Sequence, residues 1–144
     1  LEDCASGRFQ RILADTLASA TKQRKVERVI LCSGKVYFDL EEAREQRKLD
    51  TPILRVEQLY PLTAAHVLAA LAPYADGAQV LWVQEEPENM GAWSSLHTRF
   101  GASIGGKFPL RVVARPAAAS PATGSLTAHK QEQAELLDRA FGPL

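Results

Sequence analysis

The sequence predicts an α/β domain whose largely parallel sheet is covered on both faces. Two observations carry this. Short continuous apolar runs, as in strands buried on both sides, alternate four times with segments of helical periodicity. The connections between them are short, as strand–helix–strand crossovers in one sheet require. The 144 residues suffice for one core, and 46% hydrophobic with 24% charged residues is an ordinary globular composition.

The elements follow in chain order. Phe9, Ile12, Leu13 and Leu17 fall at helix-like spacing, so a short amphipathic segment is expected there. Residues 21–27 (TKQRKVE) are polar and basic and read as a connector. Residues 1–27 are therefore expected to lead in from an upstream domain, with 28–144 forming the α/β domain. The chain does not start with Met, which fits a piece of a longer polypeptide. RVILC at 28–32 reads as a buried strand ending at Ser33-Gly34. Val36, Tyr37, Leu40 and Ala43 mark an amphipathic helix running to Lys48. Ile53 to Val56 follows Pro52 as a second strand, since proline is tolerated at a strand's start.

Pro61 and Thr63 open a further helix, with Val67, Leu68 and Leu71 inward and Pro73 as its stop. VLWV at 80–83 is the third strand, and residues 91–100 a helix carrying Trp93, Leu96 and Phe100 on one stripe. Residues 110–113 give a fourth strand. The Pro/Ala-rich stretch 115–124 is an extended loop, and 127–141 the last helix.

Several function classes are excluded at this level. Seventeen basic and seventeen acidic residues cancel, so there is no electrostatic footprint for nucleic acid or an anionic membrane. No apolar run approaches the roughly 20 residues of a bilayer span. Cys4 and Cys32 lack the spacing of a zinc or redox motif, and neither a G-x-S-x-G elbow nor a Cys–His signature occurs. Ser33-Gly34-Lys35 resembles a phosphate loop in position only, because Val29 and Val36 stand where a Walker loop needs Gly and Ser/Thr. GASIGG at 101–106 follows a helix and lacks dinucleotide-loop spacing, so it reads as a turn. His66 and His97 read as packing or surface residues, whereas His129, beside the Pro/Ala loop, is a candidate for a functional hydrogen bond.

The most informative stretch is EEPENMGAW at 85–93. Three carboxylates straight after a buried strand repel one another unless a cation or a helix N-terminus compensates. Without neighbouring domains to supply cations, Glu85, Glu86 and Glu88 are expected to be solvated and mutually repelling, with mobility concentrated at 86–90 and 117–123. Pro87 fixes the turn, Gly91 permits close backbone approach and Trp93 anchors the helix. Two roles compete: proton transfer by Glu85 or Glu86, or a clamp on a neighbouring domain. No His or metal-ligand cluster accompanies the carboxylates, which favours the clamp.

Read in order, VILCSGKVYFDL, ILRVEQLYPL, LWVQEEPENMGAW and ARPAAASPATGSLTAHKQEQ resemble the C-terminal domain of the thiamine-dependent first component of the 2-oxoglutarate dehydrogenase complex. The resemblance runs from about Phe9 to Phe141, and the related 2-oxoadipate dehydrogenases and 2-oxoglutarate carboligases share it. It implies a three-layer α/β/α fold like the transketolase C-terminal domain, with a mixed five-stranded sheet whose fifth strand is short and not locatable from the pattern. It also implies a homodimeric parent that decarboxylates a 2-oxo acid with thiamine diphosphate and Mg and passes the acyl group to a lipoyl-bearing acyltransferase component. The compartment would be cytoplasmic in a bacterium and the mitochondrial matrix in a eukaryote.

The family's cofactor motif begins Gly-Asp-Gly, whereas Asp76-Gly77 here follows Ala75. The chain alone is therefore expected to hold no cofactor, and no residue is assigned a catalytic, cofactor-binding or metal-binding role. The inter-domain or regulatory candidates are Ser33, Lys35, Arg55, Glu57, Gln58, Tyr60, Glu85, Glu86, Asn89, Gly91, Trp93, Arg115, Ser120 and His129. The expected role is assembly or regulation within the parent. The alternative is an allosteric nucleotide or acyl-coenzyme A module in which Lys35, Arg55 and Arg115 meet phosphates together.

Overall fold

The computed structural model describes residues 5, 7–15 and 26–143. Leu17, Cys4 and most of the basic connector lie outside the described residues. The elements are β1 (Ile12–Leu13), β2 (Arg28–Cys32), α1 (Val36–Gln46), β3 (Ile53–Val56), α2 (Ala64–Leu71), β4 (Gln79–Pro87), α3 (Trp93–Phe100), β5 (Ser103–Ile104), β6 (Phe108–Arg115) and α4 (Leu126–Phe141). They build one sheet in the order β1-β3-β2-β4-β6-β5. The four central strands are parallel, with β2 between β3 and β4, and the short outer strands β1 and β5 run antiparallel.

The continuous apolar runs are explained by what lies on each face. Along β2, Val29 and Leu31 join Leu54, Val80 and Trp82 in a core closed by Val67 and Leu71 of α2 and Leu96 of α3. Ile30 and Cys32 point the other way, to Leu40 of α1 and Leu136 and Ala140 of α4. Alternation along each strand thus feeds two cores, and the fold is a three-layer α/β/α sandwich. Burial pushes the Cys32 thiol up to about 12, which makes it an inert core residue.

Three expectations need correction. Ile12 and Leu13 form a strand, not a helix turn: they pair with Val56 and Arg55 and cover the free edge of β3. The sheet has two short antiparallel outer strands where one was expected, the second being Ser103–Ile104 inside the GASIGG stretch, paired with Pro109 and Phe108. The third parallel strand does not stop at Val83 but runs on to Pro87. Over that extension, Val83 to Pro87 on β4 faces only Val113 to Arg115 on β6, a bulge that leaves Gln84, Glu85 and Glu86 out of the regular ladder.

Candidate functional site

All the predicted candidates gather at one end of the sheet, because each follows the carboxyl end of a parallel strand. Ser33 and Lys35 follow β2, Arg55 to Tyr60 close β3, Glu85 to Trp93 close β4, and Arg115 to His129 follow β6. This is the edge at which open α/β sheets present their working loops.

The loop after β4 is organised by a residue not foreseen as important, Gln84, which is buried. Its Oε1 accepts from Trp82 Nε1 at 2.8 Å and from the Trp93 backbone N–H at 3.0 Å. Its Nε2 donates to the carbonyls of Met90 at 2.8 Å and Pro87 at 3.1 Å. The amide therefore closes the loop into a compact turn with its own hydrogen-bonding capacity filled. Gly91 has φ +65, and a Cβ there would meet the Gln84 side chain at 3.0 Å, so close approach and a left-handed turn both call for glycine. The signal was present: Val80, Trp82 and Gln84 alternate onto one face, and a glutamine continuing a buried face needs partners.

A second tie joins this loop to the Pro/Ala loop. Asn89 Nδ2 donates to the Ala118 carbonyl and the Ala118 N–H donates to Asn89 Oδ1, both at 3.0 Å. The Glu88 N–H also donates to the Arg115 carbonyl at 2.9 Å. Residues 86–90 are thus tethered at several points, against the expectation of a loose segment. Ser120, by contrast, donates within its own loop, to the Ala122 carbonyl.

The charges form a chain across the edge. Lys35 Nζ lies 3.1 Å from Asp39 and 3.2 Å from Glu85, and these two acceptors raise its pKa. Glu85 therefore has a cation from within the chain, correcting the reading of three uncompensated carboxylates. Asp39 also accepts from Gln133 Nε2 at 2.8 Å, and Gln133 Oε1 accepts from Arg115 Nη2 at 3.0 Å. Arg115 Nη2 further approaches His129 Nδ1 at 3.1 Å; a guanidinium only donates, so Nδ1 accepts and the imidazole proton sits on Nε2. Arg115 is buried, and its Nε lies 3.5 Å from Glu132, close enough for an ion pair but without a hydrogen bond. One network thereby links β4, the β2–α1 turn, α1, α4 and β6.

Arg55 belongs to a separate group. Its Nε is 2.6 Å from Glu57, though not aimed for a hydrogen bond, and its guanidinium lies 4.6 Å over the Tyr37 ring. Gln58 Nε2 donates to the Pro61 carbonyl at 2.7 Å, and Arg99 covers the Tyr60 ring at 5.7 Å. Lys35, Arg55 and Arg115 do not converge: each has a carboxylate partner, and β3 and β6 stand three strand spacings apart, about 14 Å. The phosphate-gathering arrangement expected under the alternative is not formed. Among the described residues, no group of three or more His, Cys, Asp or Glu is placed to hold a metal ion. Asp39, Glu57 and Glu85 are committed to Lys35 and Arg55, so this donor set does not fit a thiamine diphosphate–Mg centre. His66 completes the capping box with Thr63, and the His97 ring lies against the Trp93 ring at 5.0 Å with a 50° tilt, as packing residues do. No described helix is long and apolar enough to cross a membrane.

Residues 1–141 match the family described as 2-oxoglutarate dehydrogenase C-terminal. The 2-oxoglutarate dehydrogenase E1 component of Cupriavidus necator is 39% identical, over 100% of this chain and 15% of that protein. That of Haemophilus influenzae is 39% identical over 98% of the chain and 15% of the relative. That of Brucella anthropi is 47% identical over 84% of the chain and 12% of the relative. The chain thus spans about 15% of the length of the first two relatives. Matched over nearly its whole length, the chain belongs to the 2-oxoglutarate dehydrogenase C-terminal family.

Proposed function

We propose that this chain is the assembly and regulatory domain of a thiamine diphosphate-dependent 2-oxoglutarate dehydrogenase, itself without catalytic groups. In the parent, a homodimer, upstream domains hold the cofactor and Mg, decarboxylate the 2-oxo acid oxidatively and pass the acyl group to a lipoyl-bearing acyltransferase, a step of the tricarboxylic acid cycle. Residues 1–27 connect to those domains and contribute β1 to the sheet, and 28–144 form the rest of the transketolase-like unit, working in the cytoplasm if the source is bacterial. The observation that carries this reading is the carboxyl edge. Its buried polar groups are spent on holding loops to one another, while Tyr60, Glu86 and Glu88 face outward. A reacting centre needs groups aimed at an open site, whereas a docking face needs stiff loops with exposed tips.

Calorimetry of the chain with thiamine diphosphate and Mg tests the claim. No binding is expected, while the remainder of the E1 polypeptide mixed with the chain should bind it and gain stability. Tight cofactor binding by the chain alone would overturn the proposal.

A further inference from the structure

Between the ends of β2 and β4 the sheet topology opens a crevice. The chain leaves β2 toward β3 on one side and later returns to β4 on the other, so the loops after β2 and β4 diverge. Such a reversal point is where α/β sheets leave room for a guest. A cleft of about 410 Å³ lies there, floored by Trp82 and Leu96, walled by Leu59 and Tyr60, and reached by Ser95 of α3. Its one charged lining residue is Glu86. Glu85 pairs with Lys35, while Glu86 lines the cleft. Among the described residues no cation pairs with Glu86, and the group is exposed.

We infer that this cleft is a socket for a basic side chain, Lys or Arg, from the part of the E1 polypeptide that lies outside this chain. The inference rests on the inter-domain reading above and names the contact. Three features select this occupant. An apolar floor with a single carboxylate at the lip matches a long aliphatic stem that ends in a cation. Tyr60 is 81% and Leu59 41% exposed, an apolar rim that a small molecule inside the cleft leaves wet and a protein surface covers. The relatives extend far beyond the matched region, which here is 15% of their length, and that remainder is where such a surface would come from.

The test uses the full-length E1 polypeptide with a benzophenone photocrosslinker in place of the Tyr60 ring. Irradiation should join position 60 to an upstream peptide containing Lys or Arg. Glu86→Gln, which keeps the shape and removes the charge, should lower the yield several-fold. Ser95→Trp, which fills the cleft from an exposed helix position, should lower it by roughly tenfold, and the isolated chain carrying Ser95→Trp should melt as the parent chain does. Crosslinking unchanged by both substitutions, or adducts with small molecules only, would overturn the socket. Hydrogen exchange on the same proteins separates the two levels. If 57–61 and 85–93 are shielded in the full-length protein but neither substitution alters crosslinking, the socket fails and the inter-domain reading stands. If those loops are equally open in both proteins, the reading and the socket fail together.

Discussion

The two ends of the sheet use arginine in opposite ways. At the amino end, Arg28 donates to the carbonyls of Ala140 at 2.8 Å and Gly142 at 2.6 Å. It thereby serves the carbonyls that α4 leaves without partners at its end. This is a clamp between β2 and the end of α4. A cleft of about 420 Å³ also opens beside Arg28, against Arg111 and Arg139. At the carboxyl end, Arg115 joins a chain of partners that reaches Glu85 through Gln133, Asp39 and Lys35. Comparable polar chemistry finishes a helix at one end and stiffens a set of exposed loops at the other. This difference is what supports the proposed docking role of the carboxyl edge.

Substitutions should separate the two ends. The largest effect is expected from Gln84→Leu. It strips partners from the Trp82 indole, the Trp93 amide and the carbonyls of Pro87 and Met90, and should cost about 2–4 kcal/mol. Denaturant melts would read the loss, and hydrogen exchange should place the loosening at 85–93. Arg28→Ala should cost roughly 1.5–3 kcal/mol, with faster exchange confined to the end of α4 and the carboxyl-edge loops unchanged. A shared loosening in either variant would erase the distinction between the ends.

The core predicts a pH dependence common to both ends. Unfolded, the Cys32 thiol ionises near 9.0; folded, burial keeps it protonated to about 12. Between those values the unfolded chain binds fewer protons, so stability present below pH 9 is lost as pH rises toward 12. The loss is about 1.4 kcal/mol per pH unit. Tyr37 and Tyr74, also pushed up to about 12 by burial, add to it above pH 10. Melts at pH 8, 9 and 10 should show the decline, and Cys32→Val should flatten it between 9 and 10. The smallest effect is expected from Lys35→Met. The lysine side chain is 67% exposed, so its two ion pairs contribute less than about 1 kcal/mol, and the change should vanish in high salt.

What the sequence revealed follows from how local each signal is. RVILC at 28–32 and VLWV at 80–83 were legible because burial on both faces makes a strand apolar throughout. Thr63 caps its helix through its own side chain, again a local pattern. Ile12–Leu13 was not legible as a strand, since two residues carry no periodicity and their partners, Val56 and Arg55, lie far along the chain. Ser103–Ile104 was hidden among glycines for the same reason. At the site, the candidate loops were found because strand ends mark them. Their partners were not: Lys35 meets Glu85 fifty residues away, and Asn89 meets Ala118 across two loops.

The measurement closest to the central claim is hydrogen exchange of this chain alone against the same residues within the full-length E1 polypeptide. The account predicts shielding in the full-length protein at 57–61 and 85–93, with 139–143 unchanged. Equal exchange at the carboxyl-edge loops in both proteins, or shielding at the amino end instead, would contradict it.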